Sequence, residues 1–310
     1  MKPIRVGLVG VGKIARDQHI PALRANPAFA LEACASRHSK VDGVANFPSL
    51  EAMLEGCDLD AVAICTPPQV HYEAAKLALG KGKHVLLEKP PCTSTAQLDR
   101  LAVLARDMER TLFQTWHSQY ALGVAPAERW LKQRKVSGAR VTWKENVRQW
   151  HPGQTWIWEA GGFGVLDPGI NAISILTKII PEPFFVQDAH LFVASNHAAP
   201  IAADIVFKTD SGAEIFAALD FRHTGVQTWD IDIETDAGPM KLSAGGGNLT
   251  IGDTPVPPEP GALASEYEAL YARFADLVLQ KQSDVDTAPF RLVADIFMVA
   301  RQSGVEPFEH

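Results

Sequence analysis

Short apolar runs alternate with amphipathic stretches over the first ~118 residues. The runs IRVGLVG, FALEACAS, DAVAICT, KHVLLEK and TLFQTWH have the length and continuous apolarity of strands buried on both faces. Segments 13–25, 69–80 and 94–108 carry the helical period between them, the last with Thr93 or Ser94 as its cap. Strands and helices in strict alternation predict a doubly wound α/β domain. After residue 120 the period changes. A helix near 124–134 precedes ARVTWKENV, FFVQDAHLFV, AEIFAALDFR and TWDIDIETD, which alternate apolar and polar positions. That alternation predicts an open, mainly antiparallel sheet with one face covered. A helix beginning at GGFGVLDPGINAIS interrupts the series, with Asp167 as its cap and Pro168 as its first residue. The Pro/Gly-rich GDTPVPPEPGA leads to two final helices, near 263–281 and 289–302. The expected division is 1–118 and 119–310.

Composition narrows the classes. The chain has 310 residues, 46% apolar and 21% charged, enough for a core in each of two domains. A net charge of -7 without a Lys/Arg block argues against nucleic acid or an anionic membrane surface as partner. No apolar run reaches the length of a membrane span, and the start of the chain runs straight into a strand pattern without a signal segment. Cys34, Cys57, Cys65 and Cys92 lack metal-ligand spacing and read as reduced thiols, so no metal is expected and a cytoplasmic location is.

Gly10, Gly12 and Ala15 form G-x-G-x-x-A between the first strand and the first helix. Such a turn brings backbone N–H groups and a helix N-terminus up to a pyrophosphate, which points to a dinucleotide. At the end of the second strand an acid for the ribose hydroxyls is replaced by Ser36, Arg37 and His38. A hydroxyl followed by a cation suits a 2′-phosphate, so NADP is the expected cofactor, with NAD also usable. Lys89 ends another apolar strand in HVLLEKPP, on the side of an open sheet where ligands sit. A solvent-facing lysine is the default there; the rigid prolines and the neighbouring glycine turn favour a functional one.

GLVGVGKIA, TPPQVHYEAAKLALGKGKHVLLEKP and GGFGVLDPGINA together resemble the glucose–fructose oxidoreductase/inositol dehydrogenase (Gfo/Idh/MocA) family over essentially the whole chain. The resemblance implies a Rossmann domain, a C-terminal α+β domain and hydride transfer between a nicotinamide and a sugar carbon. It implies that the cofactor lies along Gly10, Gly12, Lys13, Ile14, Thr66, Pro67, His71 and Glu88, with Lys89 facing the reacting oxygen. One departure matters. The family's D-x-G-x-H-x-x-D reads Asp167-Pro-Gly169-Ile-Asn171-Ala-Ile-Ser174, so asparagine replaces the histidine and serine the last acid. Asparagine is no base at neutral pH. IARDQH, ACASRH, TWHS, WKENVRQWHPGQTWIWE and SDVDTAPFRLVAD are similar to the bacterial NAD(P)-dependent L-arabinose/D-galactose 1-dehydrogenases, which fits that change.

The residues themselves also point to a sugar. Val141, Trp143, Glu145 and Val147 share a strand face, which puts a carboxylate among apolar side chains. Sugar hydroxyls would satisfy it, and so would a salt bridge with Arg148 or another cation. Trp150, Trp156 and Trp158 surround His151; indole faces suit a pyranose, although tryptophans are more often plain core. His117 reads as a cleft residue or a structural one. The expected chemistry is oxidation of C1 of an aldose to the lactone. Asp167 is the general base, and Lys89, which can share the proton transfer, and Asn171 hold the C1 oxygen. L-Arabinose and D-galactose share ring stereochemistry and differ by a hydroxymethyl at C5, so one pocket can accept both. A non-catalytic sugar or cofactor sensor on the same fold, and a dehydrogenase of inositol or another sugar, are the alternatives. A homo-oligomer is expected from the half-covered sheet.

Overall fold

The computed structural model describes residues 2–309, in two compact units. The first runs to Trp116 and takes in Ser265–Thr287; the second holds His117–Ala264 and the chain from Ala288 on. Elements are numbered in chain order.

In the first unit β1 (Ile4–Val9), β2 (Phe29–Ala35), β3 (Ala45–Phe47), β4 (Ala61–Ile64), β5 (His84–Leu87) and β6 (Leu112–Gln114) form one sheet. All pairs are parallel, in the order β3-β2-β1-β4-β5-β6. Leu8, Val62, Ala63, Val85 and Leu86 are completely buried, as the apolar runs require. Helices α1 (Ile20–Ala25), α2 (Leu50–Gly56), α3 (Pro68–Gly80) and α4 (Thr95–Asp107) connect the strands, and a π-helical turn Ala15–His19 leads into α1. The order reverses between β1 and β4, where sheets of this kind bind ligands at the strand carboxyl ends. β3 and α2 carry too little periodicity to be read from the sequence; Ser49 caps α2, its Oγ accepting from Ala52 N at 3.3 Å.

The boundary read near 118 falls beside Trp116, but the division is not a single cut. Helix α8 (Glu266–Gln280) belongs to the first unit because its apolar face has partners there. Phe274 stacks with Phe29 at 6.0 Å and with Phe113 at 6.2 Å.

The second unit is a nine-stranded sheet ordered β14-β13-β12-β11-β7-β10-β9-β8-β15. Its strands are β7 (Val136–Lys144), β8 (Phe184–Ala194), β9 (Ala202–Thr209), β10 (Glu214–Asp220), β11 (Thr228–Thr235), β12 (Gly238–Ser243), β13 (Asn248–Ile251), β14 (Thr254–Val256) and β15 (Arg301–Val305). Pairing is antiparallel except for β7–β10 and β8–β15. Helices α5 (Val124–Leu131), α6 (Val147–Trp150), α7 (Leu166–Ile179) and α9 (Ala288–Val299) complete the unit, with α7 packed on α5, α9 and β7. The last helix stops at Val299 rather than 302. Arg301–Val305 instead pairs with β8, whose edge N–H and C=O groups need partners. β7 likewise ends at Lys144, yet Glu145 and Val147 keep their buried positions. Glu145 N donates to Asp220 O at 3.0 Å and Val147 N to Phe221 O at 3.2 Å, which carries the alternation past the strand.

Candidate active site

In the first unit the glycine turn sits at the carboxyl end of β1. Gly10 has φ +86°, and a Cβ there would lie 2.8 Å from Thr66 Cγ2 and 3.0 Å from the Cys65 carbonyl. Only glycine fits. A Cβ on Gly12 would meet nothing within 4 Å, so the backbone stands open for a pyrophosphate to approach. The residues therefore fit a dinucleotide. Lys13 pairs with Asp17, and Ile14 lies in the same first turn. Ser36 leaves β2 with its N–H donated to Phe47 O at 3.0 Å, while Arg37 and His38 are exposed beyond it. Thr66 and Pro67 follow β4, Pro67 holding the cap position of α3.

Two residues expected along the cofactor are turned inward. His71 is completely buried between Pro90 O, 3.0 Å from Nδ1, and Thr66 O, beside Nε2. Burial pushes its pKa down, and the ring ties the end of β4 to the Lys89–Pro90 peptide, which is cis. Glu88 is buried as well. Its Oε1 accepts from Tyr267 Oη at 2.8 Å and lies 3.0 Å from His19 Nε2, and its Oε2 accepts from Lys89 N at 2.8 Å. His71 and Glu88 thus hold the Thr66 and Lys89 segments from behind. Lys89 itself is partly exposed.

Strand register builds the cluster in the second unit. Leu219 on β10, Trp143 on β7 and Trp229 on β11 are successive partners across the sheet. Trp143 and Trp229 stack at 5.7 Å, and Trp150 tilts onto Trp229 at 5.1 Å. Glu145, on the same face as Trp143, is 2% exposed. Its Oε2 accepts from Trp229 Nε1 at 2.9 Å, and its Oε1 lies 3.3 Å from His151 Nε2. Among the described residues, Glu145 Oε1, Trp143 Nε1 and Trp150 Nε1 are buried without a hydrogen-bond partner. One acceptor and two donors beside flat apolar faces are what a polyol needs. The salt bridge with Arg148 does not form, because that guanidinium lies on the Phe308 ring at 4.4 Å. Trp229 escapes a reading by sequence proximity. Its only signal is its place opposite Trp143, which needs the register.

Helix α7 packs on the Leu219 end of this row. A Cβ on Gly169 would come within 2.5 Å of Leu219 Cδ1, so the first turn rests directly on the sheet. The cap is Val165, not Asp167; Asp167 is the second residue of α7 and Pro168 the third. Backbone geometry decides this: Gly169 N donates to Val165 O at 3.1 Å, the first bond of the helix. Asp167 is 2% exposed at a helix N-terminus, which favours a carboxylate. From 162 to 176 every residue is buried except Asn171, one turn after Asp167 on the same face. The side-chain amide of Asn171 makes no hydrogen bond among the described residues, so it is open to a ligand. His117 begins a 3₁₀ turn tied to this helix: Gln119 Nε2 donates to Ser174 O at 3.0 Å, and Ser174 Oγ to Asn171 O at 2.7 Å. Asp167, Asn171, Glu145, His151 and His117 all belong to this unit.

Residues 4–115 match the model of an oxidoreductase family with an NAD-binding Rossmann fold. A galactose 1-dehydrogenase of Pseudomonas fluorescens is 45% identical over 309 residues, 99% of each chain. The chain belongs to the Gfo/Idh/MocA oxidoreductase family. Within the family, a crystal structure of a D-galactose-1-dehydrogenase protein from Rhizobium etli matches with TM-score 0.93 and 49% identity, covering 100% of this chain and 99% of that one. A 3-ketoreductase from Actinomadura kijaniata, solved with NADP and TDP-benzene, shares the fold at TM-score 0.83 and 22% identity, over 98% and 99% of the two chains. The Gfo/Idh/MocA fold is thus present from end to end, and the chain is an oxidoreductase. Among the described residues no helix is long and apolar enough to cross a membrane, and no group of three His, Cys, Asp or Glu side chains could hold a metal.

Proposed function

We propose that this enzyme is an aldose 1-dehydrogenase, oxidising C1 of D-galactose, L-arabinose or both to the aldonolactone with NADP⁺ or NAD⁺. Glu145 carries the reading: a buried carboxylate with one oxygen on Trp229 Nε1 and the other beside His151, among indole N–H groups without partners. End-to-end identity of 45% to a galactose 1-dehydrogenase supports the same sugar class. A dinucleotide held along Gly10, Gly12, Thr66 and Pro67 would supply a nicotinamide as acceptor for the hydride that leaves C1. Asp167 takes the C1 hydroxyl proton as that hydride departs, leaving C1 as the lactone carbonyl. The Asn171 amide and the Lys89 ammonium donate to the C1 oxygen. Glu145, His151 and His117 bind the remaining hydroxyls. Arg37, with Ser36 and His38, would prefer the 2′-phosphate of NADP. Four free cysteines, three of them buried, suit the reducing cytoplasm. A homo-oligomer built on the less covered sheet face is part of the same proposal.

The test mixes purified protein with NADP⁺ or NAD⁺ and a panel of aldoses and inositols, following nicotinamide reduction. Reduction with galactose or arabinose is expected. Tight cofactor binding without reduction by any sugar would make the protein a sensor, and reduction with inositols alone would move the oxidised carbon away from C1.

A further inference from the structure

Residues 306–309 leave β15 and lie back over the second unit, where Phe308 is held from several sides. The Arg148 guanidinium sits over its ring at 4.4 Å, and Trp158 meets the ring at 6.1 Å. Its N–H donates to Asn196 Oδ1 at 3.0 Å, and its carbonyl accepts from Asn196 Nδ2 at 3.0 Å. His197 Nε2 lies 2.9 Å from the same carbonyl. Arg148 also donates to Glu309 O. This is a dense set of contacts for four residues without secondary structure.

Arg148 and Trp158 bracket His151 in the chain. Between them, Pro152, Gly153 and Thr155 are exposed, while Ile157 and Trp158 are buried. Trp158 is fixed by His197 stacked on it at 4.4 Å and by its carbonyl, which accepts from Ala198 N at 3.0 Å and Ala199 N at 3.1 Å. Two routes lead from Phe308 to the Glu145–His151 pair. One passes through Arg148 into α6, which ends at Trp150 beside His151. The other passes through Trp158 to Phe221, 5.6 Å away, whose ring lies 5.6 Å from His151.

We infer that Phe308 is a positioning residue. By pinning Arg148 and Trp158 it fixes segment 148–158 and so places Trp150 and His151 for the sugar. Among the described residues no ring contact or hydrogen bond joins Phe308 to Glu145 or His151, so it acts on sugar affinity and leaves the hydride step and cofactor binding alone. The inference rests on the sugar-binding role proposed above for His151.

Phe308→Ala tests it. The expected result is a sugar KM raised about tenfold, with kcat and the cofactor KM within about twofold of the parent enzyme. Phe308→Tyr keeps the ring and restores the sugar KM. Amides of 148–158 exchange hydrogen faster in Phe308→Ala, while amides of β1, β4 and β5 do not. Arg148→Ala gives the same local acceleration, and the double variant adds little to it. An unchanged sugar KM with unchanged exchange overturns the inference. So does a uniform loss of kcat, both KM values and thermal stability, which marks a general packing role. If the parent enzyme oxidises no aldose, the proposed function fails, and the exchange of 148–158 alone then decides whether Phe308 pins the segment.

Discussion

Replacing Asp167 by asparagine removes a charge and changes little else in size. The carboxylate is 2% exposed in the first turn of α7, two residues before Gly169, which rests on Leu219. Removing a general base costs about 10²–10⁴ in turnover, equivalent to about 3–5 kcal/mol of barrier. The effect on folding is much smaller. A carboxylate near a helix N-terminus contributes about 0.3–1 kcal/mol, and a neutral amide is easier to bury, which returns part of that loss. A midpoint change below about 4 °C is expected. Asp167→Ala sharpens the comparison. An N-cap aspartate would make alanine worse than asparagine by about 1 kcal/mol, but the cap here is Val165. Both variants are expected to be equally slow. Initial rates of nicotinamide reduction with saturating sugar give the first quantity, and thermal unfolding gives the second. Asp167→Asn with kcat within about threefold of the parent refutes the assignment of the base. A large stability loss with intact kcat would show that Asp167 belongs to the fold rather than to the reaction.

Glu145→Gln keeps an acceptor for Trp229 Nε1 but loses the charge, so the sugar KM is expected to rise about tenfold or more with the cofactor KM unchanged; equal changes in both would remove Glu145 from the sugar site. Arg37→Ala is expected to raise the KM for NADP⁺ about tenfold and to spare NAD⁺, and parallel changes would refute a phosphate partner. His84 sets an acid limit on stability. Burial, with the charge of Arg110 next, pushes its pKa down to about 4, and its Nδ1 accepts from Thr111 N at 3.0 Å, as only an unprotonated nitrogen can. Between that value and the unfolded value of about 6.5 the unfolded chain binds more protons. This contribution is full above about pH 6.5 and is lost as pH falls through the folded value, by about 1–3 kcal/mol allowing for partial exposure. His84→Asn keeps an acceptor, so its denaturation midpoint should fall less between about pH 7.5 and about pH 4.5 than that of the parent; equal falls refute the assignment.

What the chain shows on its own follows from which forces leave a linear trace. Strands buried on both faces leave apolar runs, so β1, β2, β4, β5 and β6 are legible and the glycine turn at Gly10 falls into place between them. β3 is three residues long and largely exposed, and no period can reveal it. β15 exists because β8 has an open edge, a reason that lies 113 residues from Arg301, the residue whose side chain reaches Asp188. The return of α8 to the first unit has the same character. Its period is helical wherever it goes, and partners distant in the chain, among them Phe29, Phe113, His19 and Glu88, decide where it docks. Asp167-Pro-Gly looks like a cap because each residue type favours a helix start, yet the carbonyl of Val165 begins the hydrogen-bond ladder two residues earlier.

The same distinction separates chemistry that can be read from chemistry that cannot. Lys89, Asp167 and Asn171 stand in motifs, and their types alone suggest proton and oxygen handling. Glu145 needs one further step, alternation along a single strand. Trp229 needs the pairing of two strands 86 residues apart by the register Trp143↔Trp229, and Phe308 needs the packing of an irregular segment on Arg148 and Trp158. Reactive groups are fixed by residue type because few side chains can do the chemistry. The side chains that would shape a bound sugar's surroundings are fixed by position in three dimensions, where many residue types would serve. Under the proposed function, selectivity between galactose and arabinose, which differ by one hydroxymethyl, would rest on the second kind, in the segment 148–158 and what holds it. Exchanging Phe308 for alanine should accordingly change the ratio of kcat/KM for the two sugars, while Asp167→Asn should lower both values and leave the ratio as it is.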